Sequence, residues 1–253
     1  MRRGQLIFSL LLITLIYSET KIIAGLNFNA TKFQDNFSIN IPYDDNSDFS
    51  EQINYIPGIH FGLESVSKNG ISGLSYTSRG FEYQSSEEYT SQIGGGIYSE
   101  IDLKTTVGIK TNYLSGYYMF PFQIEEIWSL LGIKQIMNPN SINNTHFLFG
   151  VEVGYFLSGK MDLKISSDAR MYNEFEQTIS EFKEEISDSI ELDREDWQDQ
   201  NGDIFDAGLS FGLSYNINTE ISTRIIYYYG LVEPRKDELS NWSTINISLG
   251  YSI

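Results

Sequence analysis

The sequence predicts an all-β protein, an eight-stranded antiparallel up-and-down transmembrane β-barrel with long outer loops. Three observations carry that reading. The last ten residues, 244–253, place Ile245, Ile247, Leu249, Tyr251 and Ile253 on one face of a strand and Thr244, Asn246, Ser248, Gly250 and Ser252 on the other, because side chains alternate between the two faces. The same pattern recurs at 204–216, where Phe205, Leu209, Phe211, Leu213 and Tyr215 oppose Asp206, Gly208, Ser210, Gly212 and Ser214, and at 145–159 with Phe147, Phe149, Val151, Val153, Tyr155 and Leu157 on the apolar side. Small and charged residues inside with aromatics outside invert a soluble barrel and fit one whose outside meets lipid. Finally, beyond the first residues nothing approaches the ~20 apolar residues of a membrane helix, so any crossing is made by strands.

At the amino terminus Arg2 and Arg3 precede an apolar run over 6–17, the size of a secretory signal core. Residues 1–18 are read as a signal peptide and 19–253 as the barrel domain. A cut after Ser18 is preferred to one after Ala24, and an uncleaved anchor is the alternative.

Eight strands follow from alternation and from β-branched and aromatic enrichment: 22–30, 57–66, 70–83, 105–120, 145–159, 204–216, 220–231 and 242–253. An even number suits closure with both termini at one end. Asn69–Gly70 supplies the positive φ of a tight hairpin between the second and third strands, and 216–219 is a second short turn. The connections after strands one, three and five are long and rich in Asp, Glu, Asn and Ser, the asymmetry of periplasmic turns and outer loops.

Two segments carry helical spacing. Over 124–136, Ile124, Ile127, Trp128 and Leu131 predict a short amphipathic helix at the inner interface, with misassigned strands as the alternative. In the long acidic loop over 161–203, Phe175, Ile179, Phe182, Ile186 and Ile190 predict an amphipathic helix over about 172–190, packed on the loop or barrel rim or offered to an extracellular partner.

Composition excludes several functions. The chain has no cysteine, hence no disulfide, thiolate metal site, cysteine nucleophile or lipidated cysteine. A formal charge of -17 repels nucleic acid. Acidic loops either associate with divalent cations beside lipid phosphates or simply stay solvated.

Parity places His60, Glu64, Arg79, Lys110, His146, Glu152, Asp206 and Arg224 inside the barrel. Opposite charges in a narrow lumen pair with one another, and eight strands leave room for side chains rather than a channel, so a porin is disfavoured. An outer-membrane enzyme, lipid-modifying or hydrolytic, needs a histidine with a serine or carboxylate partner. His60 with Glu64 is conceivable, but no serine is placed beside them, and His146 belongs at the opposite end. The stretch 199–203, DQNGD, fails as a calcium loop because Gly202 at the sixth position puts Trp197 first. No catalytic, cofactor-binding or metal residue is therefore assigned.

Several segments resemble the PorT-like outer-membrane β-barrel family of the Bacteroidota envelope: GLNFN (25–29), PGIHFGLES (57–65), YTSRGFEY (76–83), NYLSGYYMF (112–120), FDAGLSFGLSY (205–215) and NWSTINISLGYSI (241–253). The segment after Phe122 and the long acidic loop depart from it, as do Gly116 and Tyr117 where the family often has proline. The resemblance implies an outer-membrane location and an eight-stranded barrel, with one branch associated with protein secretion. Expected partners are outer-membrane lipids, the barrel assembly machinery and an extracellular or periplasmic protein, in a binding, structural or secretion-associated role. A soluble periplasmic or secreted β-sandwich binding protein is the third alternative.

Overall fold

A computed structural model describes residues 19–30, 47–67, 69–123, 144–236 and 241–253. Among the described residues the strands are β1 (Glu19–Ala30), β2 (Ser47–Tyr55), β3 (Pro57–Ser67), β4 (Gly70–Gly94), β5 (Ile97–Gln123), β6 (Thr145–Asn173), β7 (Thr178–Leu192), β8 (Phe205–Asn216), β9 (Ile221–Gly230) and β10 (Ser243–Ser252), with a short helix, α1 (Arg194–Asp199). Eight of them close a ring, β1–β3–β4–β5–β6–β8–β9–β10, sealed where Lys21–Ala30 of β1 pair antiparallel with Ser243–Ser252 of β10. All neighbours are antiparallel, as expected of an up-and-down transmembrane barrel, and each of the eight expected strands is a stave of it.

The outward faces carry the apolar band. Along β10, Ile245, Ile247, Leu249 and Tyr251 are exposed while Thr244, Asn246 and Ser248 are buried in the lumen. The alternation continues around the ring through Leu26 and Phe28, Ile59 and Phe61, Leu114 and Phe120, and Val151 and Val153, all exposed. Burying such side chains stabilises by about 1.5–3 kcal/mol each. That gain is available to this surface only when lipid covers it.

Lys110 breaks the expected parity. It is exposed, whereas Thr111, Tyr113, Ser115, Tyr117 and Met119 point inward. Tyr113 and Tyr117 read as apolar, but their hydroxyls suit a polar lumen, and lipid takes Leu114 and Phe120 instead. On the partner strand a bulge pairs Asn112 with Ser158 and Tyr113 with Phe156, leaving Leu157 unpaired and reversing the parity of β6 beyond it.

The start of β1 and the end of β10 share one end of the barrel with two tight turns. Gly70 lacks the positive φ expected of it. The β3–β4 turn is instead held by Ser67 Oγ, which accepts the backbone N–H groups of Asn69 (3.3 Å) and Gly70 (3.2 Å). Between β8 and β9, Asn218 Oδ1 accepts Glu220 N (2.8 Å) and Ile221 N (2.7 Å), an Asx-type closure.

The far end departs most from expectation. β4, β5 and β6 run 25, 27 and 29 residues, far beyond the ~9–11 residues that cross a membrane. Polar stretches expected as loops continue as strands. β4 and β5 turn through Gly94, Gly95 and Gly96 with φ of 121°, 63° and 74°, a path open to glycine. The segment expected to be helical over 172–190 is largely β7, paired with β6 from Gly159↔Leu192 to Tyr172↔Thr178. A four-residue spacing, as in Phe182, Ile186 and Ile190, is even and so lies on one face of a strand as well as of a helix. The long β6 ladder decides between them by taking up the backbone groups. The expected helix over 124–136 and the signal peptide over 1–18 lie outside the described residues.

Candidate functional site

The lumen is built from inward positions of every stave. Arg79 of β4 donates to Glu152 of β6 (Nη2 to Oε1, 2.7 Å) and pairs through Nη1 with Asp206 of β8. Its guanidinium lies 4.1 Å from the Tyr228 ring centre and 5.4 Å from that of Tyr113, both within cation–π range. Lower in the barrel Arg224 of β9 pairs with Glu64 of β3, whose Oε1 also accepts the Tyr117 hydroxyl at 2.6 Å. Arg79, Arg224, Glu64 and Asp206 are all buried. Such pairs persist because each charge meets an opposite one in a medium that screens little.

Around the pairs runs a neutral lattice. Asn246 donates to Asn27 (2.7 Å), Asn27 to the Ser78 carbonyl (3.1 Å) and Thr244 to Asn29 (2.9 Å). His60 Nδ1 lies 3.1 Å from Thr77 Oγ1. Between the groups remains a cavity of about 30 Å³ bordered by His60, Glu64, Arg79, Glu152 and Arg224, room for a water or two.

The structure thus brings His60, Glu64, Arg79, Glu152, Asp206 and Arg224 into the lumen as two ion-paired groups with His60 hydrogen-bonded to Thr77, and it leaves two expected residues out. Lys110 faces outward. His146 lines a different space, a 430 Å³ vestibule at the terminal end shared with Glu19, Lys21, Gln123 and Arg224. The two histidines border separate cavities, as the strand order implied. Glu64 is held by Arg224 and Tyr117 rather than by His60. Lys21, buried and 3.5 Å from Glu19, is an inward charge that parity from Ile23 could have named. Among the described residues there is no group of three or more His, Cys, Asp or Glu able to hold a metal.

The far mouth is closed by an aromatic plug. Trp197 of α1 is fully buried, stacks on Phe156 (centroids 5.2 Å, planes 5° apart) and donates Nε1–H to the Asp203 carbonyl at 2.9 Å. Trp242 and Phe81 complete the cover, with ring centroids 6.0 Å apart. A capping box starts α1: Asp193 Oδ1 accepts Glu195 N (2.7 Å) and Asp196 N (2.9 Å), and Asp196 accepts Asp193 N (3.2 Å). The Asp196 backbone N–H, foremost, holds the Asp193 carboxyl below its ordinary range. A depressed carboxylate pKa contributes stability that is present above the unfolded value and lost as pH falls through the folded one. Protection of the Glu195 and Asp196 amides from hydrogen exchange, corrected for intrinsic rates, is therefore expected to fall below about pH 4, and to be low already at neutral pH in Asp193→Ala.

Beyond the plug, β2, β4, β5, β6 and β7 form a five-stranded sheet projecting from one side of the rim. One face continues the lumen side and exposes Ile101, Met171, Phe182, Ile186 and Ile190, with Glu184 and Asp188 between the last three. The other carries cross-strand ion pairs: Arg170–Glu100 (2.6 Å), Lys183–Asp168 (2.6 Å) and Lys164–Glu185 (3.0 Å). Hydrogen bonds to Asp168 and Glu181 raise the Lys183 pKa. No periodicity rule singles out this sheet, but alternation in 97–104 and 161–171 was a signal for it.

No protein-family model and no curated protein matches the chain. Among solved structures, Ail, the attachment invasion locus protein of Yersinia pestis, solved in complex with the heparin analogue sucrose octasulfate, is similar at 11% identity and a TM-score of 0.33, over 93% of this chain and 99% of that one. The transport unit of the autotransporter AIDA-I from Escherichia coli is similar at 10% identity and 0.25, over 99% and 98%. The beta domain of the Bordetella autotransporter Brka is similar at 10% identity and 0.27, over 93% and 100%. At such scores these likenesses add nothing to what the strand pairing shows. That pairing closes an eight-stranded transmembrane barrel around a network of paired charges, plugged by aromatics at one end and extended there into a sheet.

Proposed function

We propose that this chain is an outer-membrane protein of the PorT-like kind that binds a partner through its projecting sheet, with the barrel as its anchor. The observation that carries the reading is the sheet itself, three staves prolonged far past a membrane's thickness and presenting exposed apolar side chains where a barrel alone would need none. Apolar patches on a surface rimmed by charge mark interaction sites. In this reading the termini and the tight turns lie in the periplasm, the sheet stands outside the cell, and outer-membrane lipids cover the band between them. The paired, hydrogen-bonded lumen supports neither a porin nor catalysis, since the charges a substrate or ion would meet are already engaged with one another.

Because the chain lacks cysteine, single cysteines report sidedness. Ser187→Cys on β7 is expected to react with a membrane-impermeant maleimide on intact cells, and Asn218→Cys in the β8–β9 turn only after the outer membrane is permeabilised. The reverse labelling, or recovery of the protein without detergent and without a heat-dependent gel shift, would overturn the reading. Loss of an enzymatic activity in folded His60→Ala would replace binding with catalysis.

A further inference from the structure

We propose that the open edge of β7 accepts an extended, cationic segment of a partner polypeptide as a sixth strand of the projecting sheet. The inference rests on the surface reading above and adds the class of partner. Among the described residues β7 pairs with β6 alone, and every one of its residues but Leu192 is exposed. Its second edge therefore presents a row of backbone N–H and C=O groups, the template on which strand addition works. Folded proteins commonly blunt such edges with proline, bulges or charge, and the charge on β7 is predominantly acidic, which disfavours an anionic strand but not a cationic one. Here 178–192 has no proline and one lysine, and the register runs unbroken from Gly159↔Leu192 to Met171↔Ser180.

The side chains state what would fit. Phe182, Glu184, Ile186, Asp188 and Ile190 share the apolar face, so hydrophobic and acidic positions alternate along one row. On the opposite face Glu181 is paired with Lys183 and Glu185 with Lys164, whereas no ion pair among the described residues engages Glu184, Asp188 or Glu191. An added strand with aliphatic residues opposite Phe182, Ile186 and Ile190 and lysine or arginine opposite Glu184 and Asp188 would extend the apolar row and neutralise the free acids, both favourable as direct cross-strand pairs. A second copy fits badly. β7 holds five acids, Glu181, Glu184, Glu185, Asp188 and Glu191, against Lys183, and the other open edge, SDFSEQINY in β2, has no basic residue. Pairing either edge with β7 would set like charges opposite one another.

The test uses the full mature protein in detergent micelles and a fluorescent thirteen-residue peptide in which valine and lysine alternate at every second position with threonine between them, so that one face reads valine–lysine–valine, with the counterpart carrying glutamate in place of lysine as control. The lysine peptide is expected to bind with an affinity that falls as salt rises, to slow amide exchange in β7, and to weaken at least tenfold in the folded, heat-modifiable double variant Glu184→Lys, Asp188→Lys. Equal binding of the glutamate peptide, undiminished binding by the double variant, protection outside β7, or self-association through β7 in place of peptide binding would overturn it. If Ser187→Cys labels on intact cells while the lysine peptide fails to bind, the edge proposal falls and the surface reading stands. If that cysteine is inaccessible, the surface reading falls first.

Discussion

Arg79→Met is expected to be the most damaging single substitution in the barrel, lowering its stability by about 3–5 kcal/mol. The guanidinium is 1% exposed and serves Glu152, Asp206 and the faces of Tyr113 and Tyr228 together. Methionine keeps an apolar stem but leaves two carboxylates with no cation, and removing one partner from a buried pair costs far more than the pair itself contributes. The same argument predicts rescue. Adding Glu152→Gln and Asp206→Asn removes both orphaned charges, and the triple variant should recover most of the loss. The midpoint of the urea-dependent gel shift in micelles, read for the single and triple variants, checks both. A single variant within about 0.5 kcal/mol of the parent would show that water reaches the site and screens it.

Trp197→Ala is expected to cost a comparable 3–5 kcal/mol, in the range for truncating a buried tryptophan, but to act locally. Trp197 is the one buried residue of α1, and its indole meets Phe156, the Asp203 carbonyl and the backbone of Gly202. Without the ring, the segment from Asp193 to Asp203 loses its packing on Phe156 and keeps only its hydrogen bonds to Tyr155 and to 234–236, while the ring of staves, closed by backbone pairing, persists. Protease cutting within 193–204 should therefore rise sharply with the heat-modifiable band retained. Gly202→Ala should reproduce the effect, since a Cβ there would come within 2.3 Å of the indole. Unchanged proteolysis in both variants would mean that the segment is held by its hydrogen bonds to Tyr155, Pro234, Arg235 and Lys236 instead.

The barrel was legible because lipid and lumen impose a two-residue period that residues such as Ile247 and Ser248 obey without exception along β10. Lumen charges were legible for the same reason, and the one failure has a physical source. Tyr113 and Tyr117 are amphipathic, so alternation in β5 could be read in either phase, and the wrong phase put Lys110 inside. The projecting sheet was hidden for a related reason. In 84–104 and 161–192 polar and charged residues predominate because one face is solvated and ion-paired, and composition alone makes such strands look like loops. In β7 the four-residue spacing of Phe182, Ile186 and Ile190 satisfied a helix as well as a strand.

By itself the sequence determined the fold class, the eight staves, the two tight connections and, Lys110 apart, the inward set from His60 to Arg224, since each follows from local alternation against two contrasting environments. Tertiary structure alone decided which charges meet, how Trp197 comes to plug a mouth built by distant strands, and that β7 pairs along β6 rather than coiling. Those outcomes depend on contacts between residues far apart in the chain, such as Glu64 and Arg224, 160 positions from each other, and on backbone hydrogen bonds that side-chain patterns do not encode.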